Sequence, residues 1–325
     1  MISTFDRQTV TAQQRHLGFD FPLVLTPADP GAPCALAAGC GEILSHLSAH
    51  GAILFRGFGI TSAQDFDAFV ADFGLRNFPY DESLSNAVRR NRTSRIFTAN
   101  EAPRDVEIFL HHEMAQTPRF PSHLFFFSEQ SAESGGATPL CRSDVLLEQL
   151  EKAIPAFVAR CRERGACYTL TMPAVADQTS GQGRSWRQTL GVESREAAER
   201  RLASLQYQWC WLPDDNLSVT TPALPLIRQT QAGREVFFNQ LIAAYCGWQD
   251  QRNDSKRSVT YGDGSEFDEA DLKAAVEIAY GSVFDLAWQT GDVALIDNYL
   301  VMHGRRPYAG QRSVLASLCI GGPLA

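Results

Sequence analysis

No C-x-x-C pair occurs among the eight cysteines of this chain, which are scattered from Cys34 to Cys319. They read as reduced, mostly buried thiols rather than a disulfide framework. No apolar run is long enough to span a bilayer, and Met1-Ile2-Ser3-Thr4-Phe5-Asp6 lacks the basic-then-apolar pattern of a leader, so the expectation is a cytoplasmic protein without a membrane partner. Positive charge is also short. The formal net charge of -8 argues against a nucleic-acid partner, which needs a basic face. The one dense basic run, Arg89, Arg90, Arg92 and Arg95, reads first as a solvated segment, with a wall of an anion site as the alternative. Absent too are internal repeats, low-complexity tracts and linkers, so residues 1–325 are expected to form a single domain. With 44% apolar and 20% charged residues, the composition is that of an ordinary globular protein.

The stretch that carries chemistry is Leu110-His111-His112-Glu113. In an extended segment, side chains at i and i+2 point the same way, so His111 and Glu113 can reach one ion while His112 faces away. A third ligand must come from elsewhere, and His303 in Met302-His303-Gly304-Arg305 is the candidate. Two imidazoles and one carboxylate on one side of a metal leave the opposite positions free, the facial arrangement of non-haem Fe(II) oxygenases. A zinc hydrolase would bring a helical H-E-x-x-H spacing, which the chain lacks.

Around this tripeptide, short strands alternate with helices. Gly51–Gly57 reads as an apolar strand. Thr61 and Gln64 form a helix-start pattern, followed at helical spacing by Phe66, Phe69, Val70 and Phe73. The polar, arginine-rich stretch from Ser83 to Glu107 reads as a long connection of the kind that lines binding sites. His123–Ser128 is a dense aromatic strand, and the turn Ser134–Ala137 into Thr138–Arg142 has hairpin grammar. Helices are expected over Asp144–Ile154, Ala156–Arg164 and Ser194–Leu205, making a helical insertion at approximately 144–205. Pro173–Trp186 reads as a mobile loop with a lid role in view. Further strands are expected at Cys167–Met172, Tyr207–Trp211, Val236–Asn239, Phe284–Trp288, Val293–Ile296 and Val314–Cys319. The pattern is mostly β with α insertions, a sandwich or barrel rather than a doubly wound parallel sheet.

Seven short stretches then occur in a telling order. They are His111-His112-Glu113-Met114, Gly135-Gly136-Ala137-Thr138-Pro139, Phe237-Phe238-Asn239-Gln240, Tyr261-Gly262-Asp263-Gly264, Trp288-Gln289-Thr290-Gly291-Asp292, Asp297-Asn298 through His303-Gly304-Arg305, and Gly310-Gln311-Arg312. The series resembles the taurine dioxygenase-like (TauD/TfdA) family of Fe(II)/2-oxoglutarate-dependent oxygenases, and within it the branch of the syringomycin-cluster aspartate hydroxylase. That resemblance runs from about Gly51 to near the C-terminus. It implies a double-stranded β-helix (jelly roll) with helical insertions. It further implies Fe(II) held by His111, Glu113 and His303, and 2-oxoglutarate as co-substrate with O2. Many members carry Asp where this chain has Glu113, and Asn is frequent in this branch where it has His112.

By the same resemblance, Thr138 hydrogen-bonds the far carboxylate of 2-oxoglutarate and Arg312 pairs with it. A guanidinium suits that task because it grips a carboxylate through two parallel bonds. Arg305 and Arg306 are rivals for anion binding. The activity implied is hydroxylation of an unactivated C–H bond in an amino acid or amino-acid-derived substrate, free or presented by a carrier protein. Asn100, Glu107, Met114, Asn239 and Arg306, close in sequence to the motifs, are the candidate substrate contacts. Two alternatives stay open: a dioxygenase of sulfonates or other small anions, with Arg306 as the extra anion-binding group, and a non-catalytic jelly-roll binding protein. A homo-oligomer is compatible with all of these.

Overall fold

The computed structural model describes residues 5–29, 39–80, 83–177, 182–249, 252–254 and 257–321. Two sheets face each other at its centre. The larger runs in the order Phe5–Arg7, Leu23–Pro27, Ala52–Phe55, Val293–Asp297, His123–Gln130, Ser313–Ile320 and Arg76–Asn77, with Phe97–Thr98 also on Ser313–Ile320. The smaller has the order Phe284–Leu286, Thr138–Arg142, Val301–Arg305, Ile108–His111. Within both, Leu23–Pro27 and Ala52–Phe55 form the one parallel pairing among the described residues.

Residue alternation explains the layers. Leu54, Leu124, Phe126, Ala294, Ile296, Ala316 and Leu318 point inward and meet Leu140, Phe284, Leu286 and Val301 of the smaller sheet. Their neighbours Ile53, Phe55, Phe125, Phe127, Val293, Leu295 and Leu315 point outward, beneath Ile43 and Leu47 of the helix Cys40–His50 and Phe66, Phe69 and Val70 of Ala63–Ala71. Covered on both faces, the central strands are continuous apolar runs instead of alternating ones. The outer face of the smaller sheet, through Leu110, Cys141 and Met302, packs on the helices Ser143–Ala153, Pro155–Arg164, Leu241–Gly247 and Glu269–Gly281. This is the jelly-roll architecture with helical layers outside that the family resemblance implies, and it agrees with the sandwich or barrel read from the strand pattern.

Several local expectations change. His123–Gln130 and Thr138–Arg142 are not a hairpin, because they lie in different sheets. The turn between them crosses from one layer to the other, and Ser134–Gly135 pairs with Tyr308–Ala309 instead. The helix Ala63–Ala71 is capped by Ser62, whose side chain accepts from the Asp65 backbone N–H, while the Asp65 carboxylate accepts from the Thr61 N–H. The cap is thus Ser62 instead of Thr61, and Asp65, not Gln64, reaches back, to the N–H of the residue before the cap. Inserted elements extend well beyond 205. Strands Ala166–Met172, Gln208–Trp211, Leu217–Thr220 and Val259–Tyr261 form a further sheet, and Glu269–Gly281 adds a long helix. Val236–Asn239 keeps only Glu235–Val236 as strand. Residues 178–181 of the expected lid loop lie outside the described residues. Every described cysteine is a free thiol, and no described helix is long and apolar enough to cross a membrane.

Candidate metal centre

Strand register, invisible in the sequence, brings the two histidines together. Ile108–His111 and Val301–Arg305 are antiparallel, with His111 directly opposite His303. Directly opposed residues on one face have neighbouring side chains, and the two rings lie with centroids 4.4 Å apart. The register shifts after His303. At that irregularity Gly304 carries no side chain, and a Cβ there would sit 2.4 Å from the Ile108 carbonyl oxygen. Glycine therefore lets these two strands close on each other.

Glu113 follows just past the strand end. Its backbone is pinned by Asn298, whose Oδ1 accepts from the Glu113 N–H at 2.8 Å and whose Nδ2 donates to the Glu113 and Pro121 carbonyls at 3.1 and 2.7 Å. Ligand atoms of His111, Glu113 and His303 all lie within 4.8 Å of one another. Phe109 O takes the His111 Nδ1–H at 2.8 Å, which leaves Nε2 with its lone pair. Burial, then the neighbouring His303, lowers the His111 pKa to about 4, so the ring is neutral, the ligand form, at physiological pH. For Glu113 burial alone would raise the carboxyl, but the Arg89 guanidinium and the His303 ring outweigh it and hold it well below the usual carboxylate range.

The residues present fit a divalent cation. Glu113 Oε2 is buried without a hydrogen-bond partner, 3.5 Å from His303 Nε2. A charged oxygen left so inside a protein is costly unless a cation satisfies it. One carboxylate and two imidazoles are also a donor set that Fe(II) accepts.

His112 faces away, as its position between the two ligands requires. It is fully buried, and burial lowers its pKa to about 3. The neutral ring donates from Nδ1 to the Asn298 carbonyl and accepts at Nε2 from Ser143 Oγ at 2.6 Å. This histidine therefore braces Asn298, the residue that pins Glu113.

The turn that carries Asn298 is shaped by Asp297, whose Oδ1 accepts from the Tyr299 and Leu300 N–H groups at 2.9 and 3.3 Å. Burial raises the Asp297 carboxyl to about 6. A carboxyl raised in the folded state contributes stability at low pH that is lost as pH climbs through that value. Asp297→Asn, neutral throughout, is expected to raise the melting temperature of the metal-free protein at pH 8 and to change it little at pH 4. Equal shifts at the two pH values would clear Asp297 of that role.

A cavity of about 410 Å³ opens beside His111, Glu113 and His303. Thr138 and Arg312 line it, as does Arg305. Thr138 Oγ1 accepts from Trp288 Nε1 at 2.9 Å, so its own hydrogen is available to an acceptor in the cavity. Arg312 Nε donates to the Gly136 carbonyl at 3.1 Å, and burial with the nearby Arg305 charge lowers its pKa to about 10. It remains charged at neutral pH. Arg305 is no rival, because it donates to the carbonyls of Asn100, Ala102, Pro103 and Val106 and so straps that segment down.

Of the five expected substrate contacts, Asn100 and Glu107 line the cavity. Asn100 Oδ1 is occupied by the Ala102 N–H, and Glu107 Oε1 by Tyr280 OH and Arg306. The other three do not line it. Met114 is fully buried in the core between the sheets. Asn239 is buried at the start of the helix Leu241–Gly247, accepting from Leu241 N–H and donating to Leu226 O. Arg306 is turned away into ion pairs with Asp285 and Glu107.

Arg89, placed by the sequence in a run read first as solvated and otherwise as the wall of an anion site, lines the cavity and forms an ion pair with Glu113 at 2.9 Å, a contact the sequence does not reveal. Its neighbours in the basic run do behave as surface charges, pairing as Arg90–Glu101, Arg92–Glu129 and Arg95–Asp67. No local pattern separates Arg89 from them. Its burial depends on the rings of Tyr80 and Phe97, which its guanidinium carbon approaches to 4.7 and 5.3 Å from the centroids.

Comparison with known proteins gives the same picture. The model of the taurine catabolism dioxygenase TauD, TfdA family matches residues 27–318. A clavaminate synthase-like protein of Arabidopsis thaliana is 37% identical over 96% of this chain and 98% of its own. The dapdiamide synthesis protein DdaC of Enterobacter agglomerans is 28% identical over 86% of this chain and 87% of its own. Among solved structures, PvcB of Pseudomonas aeruginosa superposes with a TM-score of 0.55, and a second PvcB structure, described as an Fe, alpha-ketoglutarate-dependent oxygenase from an isonitrile synthetic pathway, with a TM-score of 0.53, each at 14% identity and covering 93% of this chain and 86% of that one. The jelly-roll core, the cluster of His111, Glu113 and His303 and a family match spanning most of the sequence lead to one assignment: the chain belongs to the TauD/TfdA family of Fe(II)- and 2-oxoglutarate-dependent oxygenases.

Proposed function

We propose that this enzyme hydroxylates an unactivated C–H bond of an amino acid or an amino-acid-derived molecule, free or carrier-tethered, in the biosynthesis of a specialised metabolite. His111, Glu113 and His303 hold the iron, and Thr138 and Arg312 hold the far carboxylate of 2-oxoglutarate. The observation that carries this reading is the convergence of the three ligand side chains from distant segments onto one cavity that also receives Arg312. Fe(II) held by these residues would supply the oxidative chemistry, in which one atom of O2 would go to the C–H bond and the other to 2-oxoglutarate, leaving succinate and carbon dioxide. The chain itself orients and excludes water. Arg312 and Thr138 offer a cation and a hydroxyl to the cavity, and His303 lies against Phe126 with ring centroids 5.2 Å apart, which gives one wall an apolar surface. No side chain needs to act as general base.

The amino-acid class rests on the dapdiamide synthesis protein and PvcB, both described by biosynthetic roles. A sulfonate substrate would call for a free arginine at the substrate end, and Arg306, the residue for that task, is spent on Asp285 and Glu107. Oxygen consumption with Fe(II) and 2-oxoglutarate, measured over a panel of amino acids, carrier-bound aminoacyl groups and sulfonates, should respond to an amino-acid member with a product 16 Da heavier. Coupling to sulfonates alone would overturn the substrate class.

A further inference from the structure

Arg89 is the group whose arrangement asks for an explanation. Its side chain is 6% exposed and that of Glu113 4%. Arg89 Nη2 donates to Glu113 Oε1 at 2.9 Å, while the other carboxylate oxygen, Oε2, has no hydrogen-bond partner and is the one beside His303. The guanidinium is not free to swing, being packed against the rings of Tyr80 and Phe97. The two oxygens of one carboxylate are therefore unequal: one is committed to a fixed donor and the other faces the imidazoles.

We propose that Arg89 is a positioning residue that restricts Glu113 to one-oxygen coordination of the metal, keeping open a position that 2-oxoglutarate or O2 needs. This rests on the ligand assignment above. An octahedral ion with three protein donors has three positions left, and 2-oxoglutarate and O2 between them need all three. A carboxylate binding through both oxygens would take one of these. Arg89 withholds Oε1 by occupying it with a charge-assisted hydrogen bond. Its charge acts in the same sense. A fixed cation beside the metal repels the metal ion and attracts the dianionic co-substrate.

Removal of Arg89 is thus expected to move two affinities in opposite directions. An arginine that merely steadied Glu113 would behave differently, since loss of an ordinary outer-shell partner costs roughly 10–100-fold in metal affinity. The experiment titrates Mn(II) by electron paramagnetic resonance, then 2-oxoglutarate by ultraviolet–visible absorption of the anaerobic Fe(II) protein. It uses the native chain, Arg89→Met, Arg89→Lys and, as a control, His111→Ala. The expected result for Arg89→Met is Mn(II) affinity equal to or above that of the native chain, with 2-oxoglutarate binding weakened by about tenfold or more. Arg89→Lys, which keeps the charge and one donor, recovers part of the 2-oxoglutarate affinity and stands in should the methionine variant not fold. Parallel loss of both affinities, or no change in either, in whichever variant folds would overturn the proposal. Failure of the native chain to bind Mn(II), or normal binding by His111→Ala, would instead strike at the ligand assignment.

Discussion

His303→Ala is expected to abolish 2-oxoglutarate-dependent oxygen consumption and to lower metal affinity by more than the roughly 10–100-fold that loss of an outer-shell partner brings. The fold should survive, and the reason lies in what this histidine does not do. Its backbone is held on both sides, opposite Leu140 on one strand and His111 on the other, and alanine keeps those ladder bonds. The ring also borders the cavity, so truncation enlarges a space already present instead of opening a void in a packed core. A metal-binding titration and a thermal melt on the same sample separate the two effects. Near-native turnover would remove His303 from the ligand set. A collapse of the melting temperature would mean that the residue is structural first.

His112→Ala is the instructive contrast just past the end of the neighbouring strand, for it deletes bonds to Asn298 and Ser143 in a fully buried site. The adjacent histidines illustrate how far the sequence speaks. Strand alternation alone says that His111 and Glu113 share a face and His112 does not. The pairing of His111 with His303 is beyond it, because register between segments some 190 residues apart is set by packing of whole sheets. The aromatic run at His123 and the glycines at Gly135 and Gly136 look like one hairpin for a related reason. A turn that stays in one sheet and a turn that crosses between two use the same residues, and only the partners differ.

Substrate contacts chosen by nearness to a motif fared worst. Met114 follows Glu113 and Arg306 follows Arg305. Side chains of consecutive residues in extended chain face opposite ways, so adjacency to a cavity-lining residue argues for the other side of the chain. Arg306 accordingly turns to ion pairs with Asp285 and Glu107, whereas Met114, in a turn with a backbone φ of +59°, is carried into the core. Arg89 escaped for the opposite reason. A charge in a basic run reads as solvated unless its aromatic cover is known, and that cover comes from Tyr80 and Phe97 on either side of the run.

Arg312→Ala should raise the 2-oxoglutarate concentration needed for half-maximal turnover by at least about 30-fold, leaving the primary-substrate requirement within a small factor. The estimate follows from what truncating one partner of a buried, hydrogen-bonded charge pair costs, roughly 2–5 kcal/mol. Burial makes the effect large, since little water is present to replace the guanidinium. Placement makes it selective. Gly136 brings its backbone close enough for its carbonyl to take the Arg312 Nε–H, and a Cβ on Gly136 would lie 3.0 Å from Arg312 Cδ with a backbone φ of +69°. The arginine is thereby held from one fixed direction beside the cavity it lines. Arg312→Lys keeps the charge but not the fork, and is expected to fall between native and alanine. With the Arg312 pKa lowered only to about 10, the guanidinium stays charged across neutral pH, and 2-oxoglutarate binding that depends on it should be flat from pH 6.5 to 8.5. If Arg312→Ala instead raises the requirement for the primary substrate and spares that for 2-oxoglutarate, the two ligands occupy the cavity in the reverse order.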